Sequence, residues 1–426
     1  MALLLLITVW FSAIFAWLLG IWLEIIDTPA TASSPIFVFS SAFILGLGIF
    51  IGKTNSKFLK IKSINIGLHR NLNVKTQLVY CLCWFSIFGG IAAVSRGGGF
   101  SGNLQDTREL YLSANYSVSL LSYIIEFGYA IGLIGLSLIP WVYHKNKILE
   151  FSYVILGLTG SILISLSTGG RINILIAFLL IFISYLVYYP SLFSLLRRIS
   201  LRQMILVIII FTIIFMFIYG LSYWILLRSQ LYFHILVENQ FKVVSDNLYS
   251  LGVRDSDINS SLTFLFATFI GQLFNGIDSF EPFMRVYEPH PLLGAFQFVF
   301  ISGKIPGSDW FEWKDEIERC YRVFGLFDNV WGTYVREFVV DFGWYGNHLS
   351  SLMVGFFIGK LERIQNKKLP FLLTYIYSLT WVVMTPFYSI LIFRPFQISF
   401  LIVFSLVILS LFLKQNSKSP RLYRDL

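Results

Sequence analysis

Long apolar runs separated by short polar gaps constrain this chain more than any other feature. Ten such runs occupy roughly residues 2–23, 35–52, 78–95, 118–143, 151–168, 172–189, 204–226, 338–359, 370–390 and 396–413. A helix needs about 20 mostly apolar residues to cross the hydrocarbon core of a bilayer. Inside that core each unsatisfied backbone group costs several kcal/mol, so a continuously apolar run can cross only as a helix. The runs therefore predict an all-α, polytopic transmembrane bundle of about ten spans. Composition agrees: 13% of the 426 residues are charged, against about 25% in soluble domains. That is too little polar surface to coat a particle in water.

The gaps carry an orientation. Alternate gaps (53–77, 144–150, 190–203, 360–369 and the tail from 414) hold 19 basic and 3 acidic residues. The short gaps between them are poor in Lys and Arg: the first holds Glu24 and Asp27, the last Arg394 alone. Lys and Arg collect on the cytoplasmic side of membrane proteins, so both termini are expected in the cytoplasm. The first run lacks a basic flank and a small-residue cleavage site, and reads as a retained span rather than a removed signal peptide.

Residues 227–337 break the alternation, with 9 basic and 14 acidic residues on the outer side. The expected organisation is spans one to seven over 1–226, a large periplasmic loop over 227–337, spans eight to ten over 338–413, and a basic cytoplasmic tail over 414–426. An apolar stretch at 260–274 within the loop is too isolated to cross without reversing the downstream charge pattern. It reads as a re-entrant or interfacial helix, or as the core of a small external subdomain. Cys81, Cys83 and Cys320 build neither a disulfide framework nor a zinc spacing, and no cluster of ligand side chains points to a metal or another cofactor.

Ionisable groups at membrane depth are costly and mark function. Glu126 lies within the fourth run, Asp341 near the outer end of the eighth, and Arg171 at the outer turn between the fifth and sixth, where Gly169 and Gly170 let the chain reverse. An outer arginine runs against the charge bias and can fork onto phosphate; snorkelling to headgroups is the plainer role. Arg228 and Arg336 flank the outer loop at the membrane surface, Arg254 and Arg285 lie within it, and Arg96 opens a glycine-rich connector at 95–103. These arginines are candidate substrate ligands, with ordinary ion pairing as the alternative for each. His290, between two prolines, is a candidate general base or simply a surface residue. Asp341 is a candidate base, or else a capping group or partner of Arg336. His348, seven residues on, is expected on the same helix face as Asp341, and Gly343, Gly346, Gly355 and Gly359 are expected to serve close helix packing.

Two stretches, STGGR (167–171) and NVWGTYVREFVVDFGWYG (329–346), together with the long, late outer loop, resemble the Wzy-type oligosaccharide repeat-unit polymerases of O-antigen and capsule synthesis. The resemblance implies a metal-independent, type C-like glycosyltransferase of the bacterial inner membrane, serving lipopolysaccharide or capsule polysaccharide biosynthesis. Donor and acceptor would be undecaprenyl-pyrophosphate-linked glycans, and a chain-length regulator is a further expected partner; nucleic acid is not. By motif match it assigns roles to Arg171, Asn329 and Asp341. Asp341, Glu126, Glu281 and His290 are the candidates for the base, and Trp310, Trp313, Tyr321, Trp331 and Trp344 can stack on sugars or form an interfacial belt. An O-antigen ligase shares the substrate and chemistry. A lipid-linked oligosaccharide flippase needs a polar path through the membrane centre, for which the runs offer few groups.

Overall fold

A computed structural model of the chain describes residues 1–22, 33–54, 74–96, 120–142, 147–168, 172–189, 277, 280–288, 290–298, 315–317, 319–320, 333–365, 368–387 and 389–416. The regular elements are helices: α1 (Ala2–Trp22), α2 (Ser33–Thr54), α3 (Thr76–Arg96), α4 (Leu120–Leu138), α5 (Lys147–Thr168), α6 (Ile172–Tyr188), α7 (Phe280–Val286), α8 (Tyr334–Ile364), α9 (Leu369–Met384) and α10 (Arg394–Asn416). Short 3₁₀ turns follow α4 and precede α10. The one β-type contact among the described residues is an isolated bridge between Val74 and Val142.

Among the described residues, four helical segments are long and apolar enough to cross a membrane: Ser33–Thr54, Thr76–Arg96, Leu121–Trp141 and Arg394–Phe412. Shorter apolar helices cover Ala2–Leu18, Ser152–Ser165, Ile172–Tyr188 and Leu369–Met384. The exterior is apolar, with Phe11, Phe43 and Phe412 among its exposed side chains. Polar side chains such as Ser41, Asn347, Ser351 and Thr385 are fully buried. This inverts the soluble pattern and suits a lipid solvent.

Glycines bring the helices together. Gly48 and Gly52 of α2 face Gly355 and Phe356 of α8, and a Cβ at Gly355 would meet the backbone of Leu45, Ile49 and Gly48. Close backbone approach maximises dispersion where lipid gives no hydrophobic drive between helices. A second seam joins α3 to α4 and α5: a Cβ at Gly89 would lie 3.0 Å from Tyr129 N, and one at Gly90 would lie 3.0 Å from Gly160 O. Gly355 and Gly359 thus pack as the sequence led us to expect.

Gly343 does not. At φ 72° and ψ 177° it breaks α8 into two arms, residues 334–342 and 344–364. These torsions belong to a region essentially restricted to glycine. The expected single span over 338–359 is therefore corrected to a buried short arm followed by a long one. Tyr334 and Ser351 lie on opposite arms, yet their side-chain oxygens are 3.3 Å apart, so the arms fold back on one another. Residues 333–341 are buried throughout. This arm has the character of a re-entrant element; the sequence stretch expected to supply one, 260–274, lies outside the described residues, as does the apolar run at 204–226.

Candidate functional site

The bundle has two ends, and polar contacts define them. At one end Glu362 accepts hydrogen bonds from the Lys53 ammonium (2.8 Å), the N-terminal ammonium (2.9 Å) and the Ala2 N–H (3.2 Å). Lys368 donates to the Ser410 carbonyl near the end of α10, in the same quarter. Since α9 and α10 run antiparallel from this contact, Arg394 at the start of α10 belongs to the opposite end.

There Arg394 Nη1 donates to Glu126 Oε1 at 3.2 Å. One turn earlier on α4, Ser122 accepts from Arg96 Nη1 at 2.6 Å. Positions four apart share a helix face, so the C-terminal end of α3 and the first turn of α10 bring two guanidinium groups to one strip of α4. Arg394 is 55% exposed and Glu126 16%, so the arginine keeps solvent-facing donors while the carboxylate fixes its position. Tyr129, on the next turn of α4, donates to the carbonyl of Asn173 (2.6 Å), tying the start of α6 to the same strip. Arg394 was not among the residues that sequence reasoning proposed for the site; its isolation in an otherwise uncharged gap between apolar runs was the available signal.

Asp341 closes the first arm of α8. Its Oδ1 accepts from the Phe296 N–H (2.8 Å) and its Oδ2 from the Gln297 N–H (3.0 Å). The Asp341 carbonyl also accepts from Leu293 N–H at 2.7 Å. The turn it holds carries positive φ at Leu293 and Gly294, so two fully buried carboxylate bonds secure a strained reversal. Of the two structural roles expected beside that of a base, capping or pairing with Arg336, the contacts are of the capping kind, made to the N–H groups of the 291–298 turn. Gln297 continues the network: Ser389 Oγ donates to its Oε1 (3.0 Å), and Gln397 Nε2 donates to its carbonyl (2.5 Å). Gln397 is one turn from Arg394 on α10, so the network of the first arm of α8 reaches the helix turn that carries the arginine.

Arg336 is corrected from a surface phosphate ligand to a buried residue, 5% exposed, whose Nη2 and Nε reach Glu337 Oε1 at 2.9 and 3.3 Å. The kink separates His348 from the face of Asp341; His348 Nε2 lies 3.0 Å from Ser40 Oγ, and its ring packs edge-on to Phe37. Arg285 pairs with Glu281 along α7, and His290 is exposed in the loop beyond. Trp344 sits among Phe37, Phe280 and Phe283, where it docks α7 onto the bundle. Burial pushes the Cys320 thiol up to about 11, so it is not a thiolate nucleophile near neutrality. Arg171, Arg228, Arg254 and Asn329 lie outside the described residues, as do Trp310, Trp313, Tyr321 and Trp331.

No protein-family model, no curated protein and no solved structure matches this chain.

Proposed function

We propose that the chain polymerises undecaprenyl-pyrophosphate-linked oligosaccharide repeat units on the outer face of a bacterial inner membrane. The growing glycan passes from its lipid carrier to a hydroxyl of a newly delivered unit. The observation that carries this reading is the meeting of Arg96 and Arg394 on one strip of α4, at the end of the bundle opposite the Lys53–Glu362 pair. The positive-inside rule puts the lysine-rich end in the cytoplasm, and hence the arginines at the outer rim.

A polyprenyl pyrophosphate needs little chemical activation, because its departure only concentrates charge on phosphate oxygens. Guanidinium forks already held by Ser122 and Glu126 stabilise that charge without reorganising, and such preorganised donors are commonly worth about 10²-fold or more in rate each. The sequence resemblance adds Arg171 to this grip. It also supplies the substrate class.

The test is reconstitution of the full chain in liposomes with purified lipid-linked repeat units and EDTA, read on a gel. A ladder of lengthened glycan is expected, with Arg96→Ala and Arg394→Ala each slowing its growth about 100-fold while the protein still inserts, and Arg171→Ala removing long products. Translocation of the units without joining, or transfer to a lipid A core alone, overturns the polymerase reading.

A further inference from the structure

The acidic side chains of α8 are used unequally. Asp341 engages both oxygens with backbone N–H groups. Glu362 also engages both, Oε1 with two cations and Oε2 with the Ala2 N–H. Glu337 is fully buried, yet only Oε1 is engaged, by Arg336; Oε2 has no hydrogen-bond partner. A carboxylate kept for architecture alone is expected to satisfy both oxygens, since a buried unpaired acceptor costs about 1–3 kcal/mol.

A second orphan stands beside it. Thr333 begins the first arm of α8, makes no side-chain capping bond, and leaves Oγ1 buried and unpartnered. Thr333 is the extended residue that precedes the helix, and Glu337 lies four residues on, in its first turn. Their surroundings select the ligand by charge. Arg336 and the positive end of the helix oppose a cation, and the Glu337 carboxylate opposes an anion. A neutral hydroxyl fits: it donates to Glu337 Oε2 and accepts from Thr333 Oγ1.

We propose that Glu337, rather than Asp341, is the base that receives the proton of the acceptor glycan's hydroxyl; this rests on the polymerase reading above. As the acceptor O–H bond breaks, its proton moves to Glu337 Oε2. The freed oxygen bonds to the anomeric carbon of the growing chain, and the bond from that carbon to the pyrophosphate oxygen breaks, its electron pair leaving with the phosphate. Arg336 fixes the carboxylate through Oε1, and Thr333 orients the hydroxyl. Full burial of Glu337 and Thr333 keeps water from hydrolysing the donor, so the acceptor must displace their cover to bind.

The experiment compares Glu337→Gln, Glu337→Asp, Asp341→Asn and Thr333→Val in the liposome assay, with melting temperature measured for each. Glu337→Gln keeps the shape of the side chain and is expected to lower kcat about 10²–10⁴-fold with acceptor KM unchanged; it also leaves the buried Arg336 charge unanswered, so its melting temperature falls and rates are compared well below it. Glu337→Asp should retain part of the activity, whereas Asp341→Asn should lower stability and rate together. Polymer growth by Glu337→Gln within about tenfold of the unsubstituted chain, below the contribution of a general base, overturns the inference and leaves the proposed function standing. Should Glu337→Gln fail to fold, Thr333→Val decides: a raised acceptor KM supports the pocket, and an unchanged one overturns it. Absence of polymer from the unsubstituted chain defeats both proposals.

Discussion

The two arms of α8 are contiguous in sequence and opposite in physics. The arm 334–342 buries Arg336, Glu337 and Asp341, and each charge is answered by a partner or an N–H donor. The arm 344–364 is held chiefly by absence of side chain: Gly355 and Gly359 let α2 approach until backbone meets backbone, while Tyr345, Leu349 and Met353 face outward. Polar networks are directional and fail when one member is lost; glycine seams are non-directional and fail when anything is added. A polar arm of the first kind can stand in an apolar bundle because the second kind braces it.

Three substitutions test that contrast, in decreasing order of effect. Gly355→Leu places side chain against the Leu45 carbonyl and the Ile49 N–H. Backbone is the obstacle, so the cost should exceed the usual overpacking range of about 1–3 kcal/mol, and the monodisperse fraction in detergent should collapse. Asp341→Ala strands the Phe296 and Gln297 N–H groups; a loss of about 2–3 kcal/mol is expected, with faster proteolysis of the 291–298 turn. If stability is unchanged, the turn is not held by this carboxylate. Gly343→Ala meets only Pro291 Cγ at 3.5 Å, so its cost is backbone torsion, about 1–2 kcal/mol. A melting temperature equal to that of the parent chain would show that the arms need no glycine between them.

Apolar runs anticipated helices well, because in hydrocarbon a continuous apolar run has few alternatives to a helix: α1, α2, α3, α5, α6 and α10 begin and end within a few residues of the runs that forecast them, while α9 stops at Met384, short of its run's end at 390. The site was less legible. Glu126 and Asp341 stood out as ions in apolar context, but their partners, Arg394 and the N–H groups of Phe296 and Gln297, lie far along the chain. Nothing in the sequence distinguishes Glu337, one acid beside one arginine at the edge of a polar loop.

Sequence alone determined the helical class, the charge asymmetry between gaps and the glycine positions, since each follows from local composition and its transfer energy into lipid. Only the tertiary structure decided that the eighth apolar run bends at Gly343, that Arg96 and Arg394 share a strip of α4, and that Asp341 is engaged on both oxygens while Glu337 is not. Those outcomes depend on which distant groups meet, and a buried charge takes its role from its neighbours in space rather than from its neighbours in the chain.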